Sequence, residues 1–264
     1  TGAIELAMWN LLGPMDVTIL VWDSFGQDWS NDVKSQLKLT NIEIKKADYG
    51  KLPELPSPKF QGDIIFNWNG TTAGVCMSDL SWIDPKRRGI TICDATSAAF
   101  AMDIDWEKID VGTFSWRKCL GGEAGHGMLV LSPKAVERLN AYNPSWPLPK
   151  LFQLKKNDKV NTEIFSGSTI NTPSLLCVED YLDALVWGKD IGGLPELIKR
   201  SNENLEIIKE WVSNSYWAAF LCEDENNLSN TSICLKLIDP KIINLPLETK
   251  NKLEKNITRL LEIE

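Results

Sequence analysis

Two residues of this 264-residue sequence, Asp94 and Lys118, have the types and positions that amine chemistry on a carbonyl compound requires. Lys118 follows the predicted strand 111–116 and precedes the glycine pair Gly121-Gly122. Desolvation and nearby positive charge lower the pKa of a lysine, which favours the neutral amine that forms a Schiff base. Lys118 is therefore a candidate nucleophile, although a solvated lysine on a loop would fit the same pattern.

Asp94 closes the apolar run 89–93, and a carboxylate at the end of such a strand needs a cation or several hydrogen-bond donors. It could cap a helix that begins near Ala95. It could also keep the ring nitrogen of a bound pyridine cofactor protonated, which makes that ring an electron sink. Because Asp94 and Lys118 follow neighbouring predicted strands, we expect both side chains at one edge of a sheet.

Two weaker signals concern a helix start and a loop. Thr1 and Gly2 open a predicted helix whose free amides and dipole suit a phosphate group. The loop 69–74 carries Thr71, whose hydroxyl could face the same ligand, but Asn-Gly is also an ordinary turn signal. His126, the single histidine, is expected to be structural, on the glycine-rich turn.

The elements that must position these residues alternate between strands and helices. Short apolar runs predict six strands, at 17–22, 42–44, 63–68, 89–93, 111–116 and 127–131. Helical spacing predicts five helices, at 1–10, 28–37, 173–189, 194–212 and 247–263. Strands that are apolar on both faces and separated by helices predict an α/β fold with a mainly parallel sheet flanked by helices.

Two details refine this fold. The short connection 121–127 leaves no room for a helical crossover, so it predicts one antiparallel strand in the sheet. A glycine pair at Gly192 is typical of a helix end, and a predicted strand at 232–238 follows. The pattern predicts a large domain over 1–191 and a partial α+β small domain over 192–264.

Composition restricts the partners. The net charge of −8 makes nucleic acid an improbable partner, since nucleic-acid binders carry a basic face. No apolar stretch is long enough to span a bilayer, and no basic-then-apolar leader is present. The six cysteines lie far apart, and with one histidine they predict buried free thiols rather than a metal site. These features favour a cytoplasmic enzyme that acts on small molecules.

From Thr1 to about Asp239 the chain resembles phosphoserine aminotransferases, in the alanine-glyoxylate-like branch (class V) of fold-type I pyridoxal-phosphate enzymes. The motifs that carry the resemblance occur in the family's order: TGAIELAMWNLLG, FNWNGTTAGV, ICDATSAAF, TFSWRKCLGGEAGHGMLVLSP, INTPSLLCVEDYLDAL and SNTSICLK. The resemblance implies a large domain with a seven-stranded type of sheet, and a chain truncated at both ends.

The resemblance also implies pyridoxal 5'-phosphate as the cofactor and assigns residues to it. Lys118 would form the Schiff base and carry a proton, Asp94 would pair with the pyridine nitrogen, and Thr71 would bind the 3' oxygen. The remaining assignments are the stacking ring of Phe25, the phosphate contacts of Thr1, Gly2 and Arg117 (relatives usually carry Gln instead of Arg117), and Asn171 and Thr172, which would reach the phosphate in the other subunit of a homodimer.

The implied reaction moves an amino group between glutamate and 3-phosphohydroxypyruvate, giving phosphoserine and 2-oxoglutarate in serine biosynthesis. One alternative is a sister enzyme such as an alanine- or serine-glyoxylate aminotransferase. Another is a catalytically incompetent fragment that keeps the fold. A nucleotide-binding Rossmann protein is disfavoured because no GxGxxG motif follows the first strands.

Overall fold

A computed structural model describes residues 1–169 and 171–263 of the chain. Its helices follow amphipathic or apolar segments, and a five-residue π-helix (Asp32–Gln36) extends the second of them. The α-helices are α1 (Gly2–Leu11), α2 (Ser24–Asn31), α3 (Pro133–Ala141), α4 (Leu175–Asp190), α5 (Gly193–Ser213), α6 (Pro240–Ile243) and α7 (Leu247–Leu261). None of the described helices combines the length and the apolar character needed to cross a lipid bilayer.

The centre of the molecule is a six-stranded mixed sheet. The strands are β1 (Val17–Val21), β2 (Ile42–Lys46), β3 (Asp63–Asn67), β4 (Asn69–Gly70), β5 (Val75–Cys76), β6 (Thr91–Asp94), β7 (Val111–Ser115), β8 (Gly127–Leu131), β9 (Lys155–Lys156), β10 (Lys159–Val160), β11 (Ala218–Phe220) and β12 (Leu235–Leu237). The large sheet has the order β2-β1-β3-β6-β7-β8, and the other strands form three two-stranded pairs. All neighbours in it pair in parallel except β8, which runs antiparallel to β7 as the short connection predicts.

The central strands β1 and β3 are buried on both faces of the sheet, towards which their alternate residues point. Ile19 and Ile65 pack on one side against Met8 of α1. Leu20 and Phe66 pack on the other side, in a cluster built largely from the segments between the strands. The strands therefore read as continuous apolar runs, as covered parallel strands must.

A buried ion pair fixes α3 to the start of β3. The guanidinium of Arg138 binds the carboxylate of Asp63 through two contacts, Nη1 to Oδ2 at 2.9 Å and Nη2 to Oδ1 at 3.1 Å. The Asp63 side chain is fully buried and that of Arg138 is 11% exposed. The amide of Ile90 also donates to Asp63 Oδ1, at 2.8 Å. This network lies at the amino ends of the parallel strands.

The C-terminal part of the chain packs on the large sheet's connections through one segment in particular. Asn69 Nδ2 donates to Ser232 Oγ at 3.2 Å, and the Ser229 amide donates to the carbonyl of Gly74 at 3.1 Å. The thiol of Cys234 lies 3.6 Å from the carbonyl oxygen of Thr71. Residues 229–234 therefore back the loop that carries Thr71. The domain boundary at residue 192 stays a prediction.

Several local expectations are corrected. Described residues contribute six strands to the sheet, all of which the sequence predicts, and no counterpart of the seventh that the resemblance implied. Thr1 occupies the N-cap position of α1, but its side chain makes no capping hydrogen bond. The predicted strand 232–238 is shorter because its first residues contact the Thr71 loop instead. The cysteines are free thiols, but not all are buried: Cys119 is exposed.

Candidate active site

A cavity of about 230 Å³ opens where β3, β6 and β7 end, at the carboxyl edge of the parallel strands. Ligands of open α/β sheets bind at this edge, because the connections that leave the strands diverge there. The lining includes six residues that the sequence predicts, namely Thr1, Phe25, Thr71, Asp94, Arg117 and Lys118. It also includes six that sequence reasoning missed, namely Trp29, Asn67, Asn69, Thr96, Ser97 and Ser115.

Three predicted residues do not line this cavity. Gly2 is exposed at the start of α1, with open space around its α-carbon, while its neighbour Thr1 lines the wall. Asn171 and Thr172 are exposed on the segment before α4. Their predicted contact is with the phosphate bound in another subunit, and it stays a prediction.

Asp94 ends β6 next to Asn67 of β3 and Thr113 of β7. Its Oδ1 accepts hydrogen bonds from the amide of Thr96 at 3.0 Å and from the hydroxyl of Thr96 at 2.5 Å. Asp94 therefore caps a turn, and not the helix that the sequence suggested near Ala95. Both bonds go to Oδ1, and Asp94 is part of the cavity lining.

The charge state of Asp94 depends on its surroundings. Burial raises the pKa of its carboxyl above the ordinary value, while the hydrogen bonds from Thr96 and the positive charge of Lys118 pull that pKa down. A cation at the cavity would pull it further in the same direction. Asp94 is thus a carboxylate whose ionised form gains strongly from a positively charged partner.

Lys118 lies on the turn between β7 and β8. The amide of Gly121 donates to the Lys118 carbonyl at 2.9 Å, and the amide of Gly122 donates to the Trp116 carbonyl at 3.0 Å. Gly121 has φ +67°, a conformation that side-chain-bearing residues rarely adopt. The expectation that Lys118 is desolvated is wrong, because its side chain is exposed at the cavity mouth.

Phe25 is held over the cavity by the first turn of α2. Asp23 caps this helix, its Oδ1 accepting from the amide of Gly26 at 2.8 Å and from Asn67 Nδ2 at 2.9 Å. Burial raises the pKa of Asp23, and backbone amides, that of Gly26 foremost, oppose the shift. The ring of Phe25 is 43% exposed, so one face is available for stacking.

Three buried polar atoms around this cavity have no hydrogen-bond partner in the described structure: Trp29 Nε1, Asn67 Oδ1 and Asn69 Oδ1. Buried polar groups are nearly always paired, because an unpaired group loses its hydration without compensation. Trp29, Asn67 and Asn69 line the cavity directly. Their clustering indicates a site built for a polar ligand.

A signal for the missed asparagines is present in the sequence. Asn67 and Asn69 interrupt the apolar run that begins at Ile64, in the segment FNWNG. Polar amides at the end of a covered strand need partners, as the carboxylate of Asp94 does. The position of Trp29 in the wall depends on how α2 packs, which the sequence does not specify.

The sequence comparisons agree on one family name. No family model matches the chain. A phosphoserine aminotransferase of Methanosarcina mazei is 52% identical over 237 residues, which are 90% of this chain and 64% of that protein. A phosphoserine aminotransferase of Corynebacterium glutamicum is 28% identical over 196 residues, which are 72% of this chain and 50% of that protein. This chain thus spans less than two thirds of the length of these relatives.

Solved structures share the fold. A phosphoserine aminotransferase from Cytophaga hutchinsonii superposes with a TM-score of 0.74 at 20% identity, covering 96% of this chain and 68% of that one. An alanine–glyoxylate aminotransferase from Nostoc sp. superposes with a TM-score of 0.69 at 14% identity, covering 90% and 64%. At these identities the likeness concerns the fold alone.

Proposed function

We propose that this chain, which belongs to the phosphoserine aminotransferase family over nine-tenths of its length, carries the catalytic centre of a pyridoxal-phosphate-dependent aminotransferase. The enzyme would transfer an amino group between glutamate and 3-phosphohydroxypyruvate, giving phosphoserine and 2-oxoglutarate in amino-acid biosynthesis. The observation that carries this proposal is one cavity that contains both Lys118 and Asp94 and is surrounded by unpaired buried polar atoms.

The lining of the cavity fits pyridoxal 5'-phosphate. Oδ2 of Asp94 can accept from the protonated ring nitrogen, and the ring of Phe25 can cover one face of the pyridine. The hydroxyl of Thr71, now 3.0 Å from that of Ser97, can donate to the ring oxygen. When bound, this cofactor withdraws electrons from the bonds at the α-carbon of an amino acid.

Positive groups in the lining of the cavity suit the cofactor's phosphate. Arg117 lines the wall beside Thr1, and a guanidinium can bind two phosphate oxygens at once. The helix start of α1 adds free amides and the positive end of its dipole. Gly127 lets this helix approach β8 closely, since a Cβ there would come within 2.8 Å of the Ala3 Cβ.

Lys118 would act as the general base and general acid of the reaction. Its exposed amine lies on a turn at the cavity mouth, within the electrostatic influence of Asp94. With the cofactor and an amino-acid substrate bound, Nζ of Lys118 would accept the proton that leaves the substrate's α-carbon and would donate it again to complete the amino-group transfer. Asp94 meanwhile keeps a proton on the ring nitrogen.

We also infer that the active enzyme is a cytoplasmic homodimer with shared sites. Asn171 and Thr172 are exposed just before α4, and that helix carries exposed apolar side chains. Leu175 and Leu176 are among the most exposed leucines of the described chain. A second copy of the chain would cover this apolar face and bring Asn171 and Thr172 to the neighbouring phosphate.

The first test is an absorbance titration of the purified chain with pyridoxal phosphate, alongside Lys118→Ala and the control Lys59→Ala. Wild type and Lys59→Ala should develop a visible band that glutamate bleaches, and Lys118→Ala should not. A band of equal strength in Lys118→Ala would refute the role of Lys118. No band in any variant would favour the alternative of an incompetent fragment.

The acceptor is tested separately, on protein whose band glutamate has bleached. We expect 3-phosphohydroxypyruvate to restore the band much faster than glyoxylate or pyruvate does. Faster restoration by glyoxylate would instead support the sister activity.

A further inference from the structure

Trp116 lies between two other aromatic rings, two residues before Lys118. Its indole stacks on the imidazole of His126, with the centroids 4.3 Å apart and the planes inclined by 13°. It also stacks on the phenol ring of Tyr181, at 4.3 Å and 6°. The three rings form one continuous column, which we call the Trp116 stack.

The Trp116 stack is held by ring contact. Trp116 Nε1 and His126 Nδ1 are both buried, and neither finds a hydrogen-bond partner in the described structure. An indole or imidazole usually satisfies such an atom when it is buried. The three rings therefore stack although two of their nitrogens stay unpaired. This indicates that the position of the rings matters, and not only their burial.

Each ring belongs to a different part of the molecule. Trp116 is on the turn after β7, His126 precedes β8, and Tyr181 is in the middle of α4. Tyr181 is only 7% exposed and packs with Leu120 and Leu197, in a cluster that ties the turn to α4 and α5. The turn that carries Lys118 is therefore clamped from both sides.

The backbone passes the constraint from Trp116 to Lys118. The Trp116 carbonyl accepts from the amide of Gly122, and a Cβ at Gly122 would lie 3.0 Å from that carbonyl oxygen. The Lys118 carbonyl accepts a hydrogen bond from the amide of Gly121. A shift of the Trp116 ring would move the turn in which both hydrogen bonds close.

We propose that Trp116, His126 and Tyr181 are positioning residues that fix the Lys118 turn relative to the cofactor cavity and to α4. This rests on the function proposed for Lys118. The exposed lysine owes its place to this stack, because desolvation of its own side chain does not restrain it. Small displacements of a reacting group are costly, so the stack acts on rate and cofactor linkage as well as on stability.

The test compares Trp116→Leu, which removes the stack, with Trp116→Phe, which keeps a ring. The matched control is Trp82→Leu. Trp82 is also half-buried, but its ring contacts Phe66 in a core cluster that does not contain Trp116. Each protein is loaded with pyridoxal phosphate and reduced with borohydride. Peptide mass spectrometry then gives the fraction of Lys118 that is linked to the cofactor, and a titration gives the cofactor dissociation constant.

We expect Trp116→Leu to weaken cofactor binding on the order of tenfold, the size of one aromatic contact, and to move the pH profile of the visible band. Trp116→Phe should recover most of both. Trp82→Leu should lower the melting temperature with neither effect. Wild-type linkage and pH profile in folded Trp116→Leu would overturn the proposal.

His126→Leu and Tyr181→Leu provide a second measurement if Trp116→Leu does not fold. Both should shift the pH profile in the same direction, and their double variant should shift it by less than the sum, because they act through one ring. Independent, additive effects would contradict the stack. Failure of the proposed function itself is distinguishable, since wild type would then show no visible band.

Discussion

Asp94 illustrates a conflict between stability and chemistry in a single residue. Its carboxyl is placed where burial raises its pKa, and the bonds from Thr96 offset only part of that penalty. An ionised carboxylate in this position destabilises the cofactor-free protein. The same position would make it a strong partner for the protonated ring nitrogen in the proposed site, because a poorly solvated anion binds a cation well.

Replacing Asp94 with Asn should therefore stabilise the cofactor-free protein at neutral pH. Between the unfolded pKa and the raised folded pKa, the native state binds more protons than the unfolded state, so the contribution of Asp94 to the unfolding free energy falls as pH rises. Below the unfolded pKa this loss is absent, so the advantage of Asp94→Asn should grow as pH rises through that window.

Urea denaturation of wild type and Asp94→Asn at several pH values measures this difference. The charge of Asp94 also helps to raise the pKa of Asp23, so removing it relieves Asp23 as well and adds to the difference in the same direction. A difference that does not change with pH would contradict the assignment. With pyridoxal phosphate added the order should invert, because only the wild type gains the ion pair.

At the scale of elements, the sequence predicts the centre of the sheet well because its central strands are buried on both faces. The runs at β1 and β3 are uninterrupted apolar stretches between turns, which leaves little ambiguity. The antiparallel direction of β8 was predictable from the shortness of the connection that precedes it. Thr71, Asp94 and Lys118 were found because each follows such a run.

The remaining wall residues were missed for a physical reason. Trp29 looks like an ordinary helix residue, and only the packing of α2 brings it to the cavity. The contact of Ser232 with Asn69 joins residues 163 positions apart, and no local pattern encodes such a pair. The Trp116 stack likewise depends on where α4 lies. Sequence patterns specify elements, while long-range packing specifies how they meet.

The link between α3 and β3 carries a prediction at this scale. Arg138→Leu should lower the unfolding free energy by about 3–5 kcal/mol, because it leaves the fully buried Asp63 without its counter-charge. Thermal and urea unfolding would measure the loss. The exposed pair Lys252–Glu248 is the control, and Lys252→Ala should change stability very little.

A second variant tests the reason given for that loss. Adding Asp63→Asn to Arg138→Leu should recover part of the stability, since the uncompensated charge is then gone while an acceptor remains for the Ile90 amide. No recovery would mean that Arg138 acts through packing. The cofactor's visible band should be unaffected in the folded fraction, because this pair lies at the edge of the sheet opposite the cavity.

On the scale of the whole molecule, the exposed face of α4 is the feature that the described chain leaves uncovered. Leu175 is 73% exposed, and Leu182 and Val186, which lie on the same side of the helix, have about half of their surface exposed. Contiguous exposed apolar side chains favour association, because burying them removes apolar surface from water. The homodimer proposed above depends on this face.

Leu175→Lys should raise the monomer fraction and weaken the visible band together, since Asn171 and Thr172 of a partner would no longer reach the cavity. Light scattering across a dilution series measures the first effect, and cofactor titration the second. Tyr216→Lys, at a position that is 79% exposed, is the matched control and should change neither. Equal masses for both variants at every concentration would contradict an interface at α4.

The Lys118 turn and the Thr71 loop, which form two parts of the cavity wall, are supported by residues at different distances along the chain. This difference has a consequence for folding during synthesis of the chain. The turn that carries Lys118 is a hairpin in which Ser115 pairs with Gly127, and the stack that holds it is complete once Tyr181 has left the ribosome. The Thr71 loop, by contrast, waits for residues 229–234 to support it. A nascent chain would thus present its reactive amine well before the opposite wall exists, and capture of the cofactor becomes one of the last events in assembly.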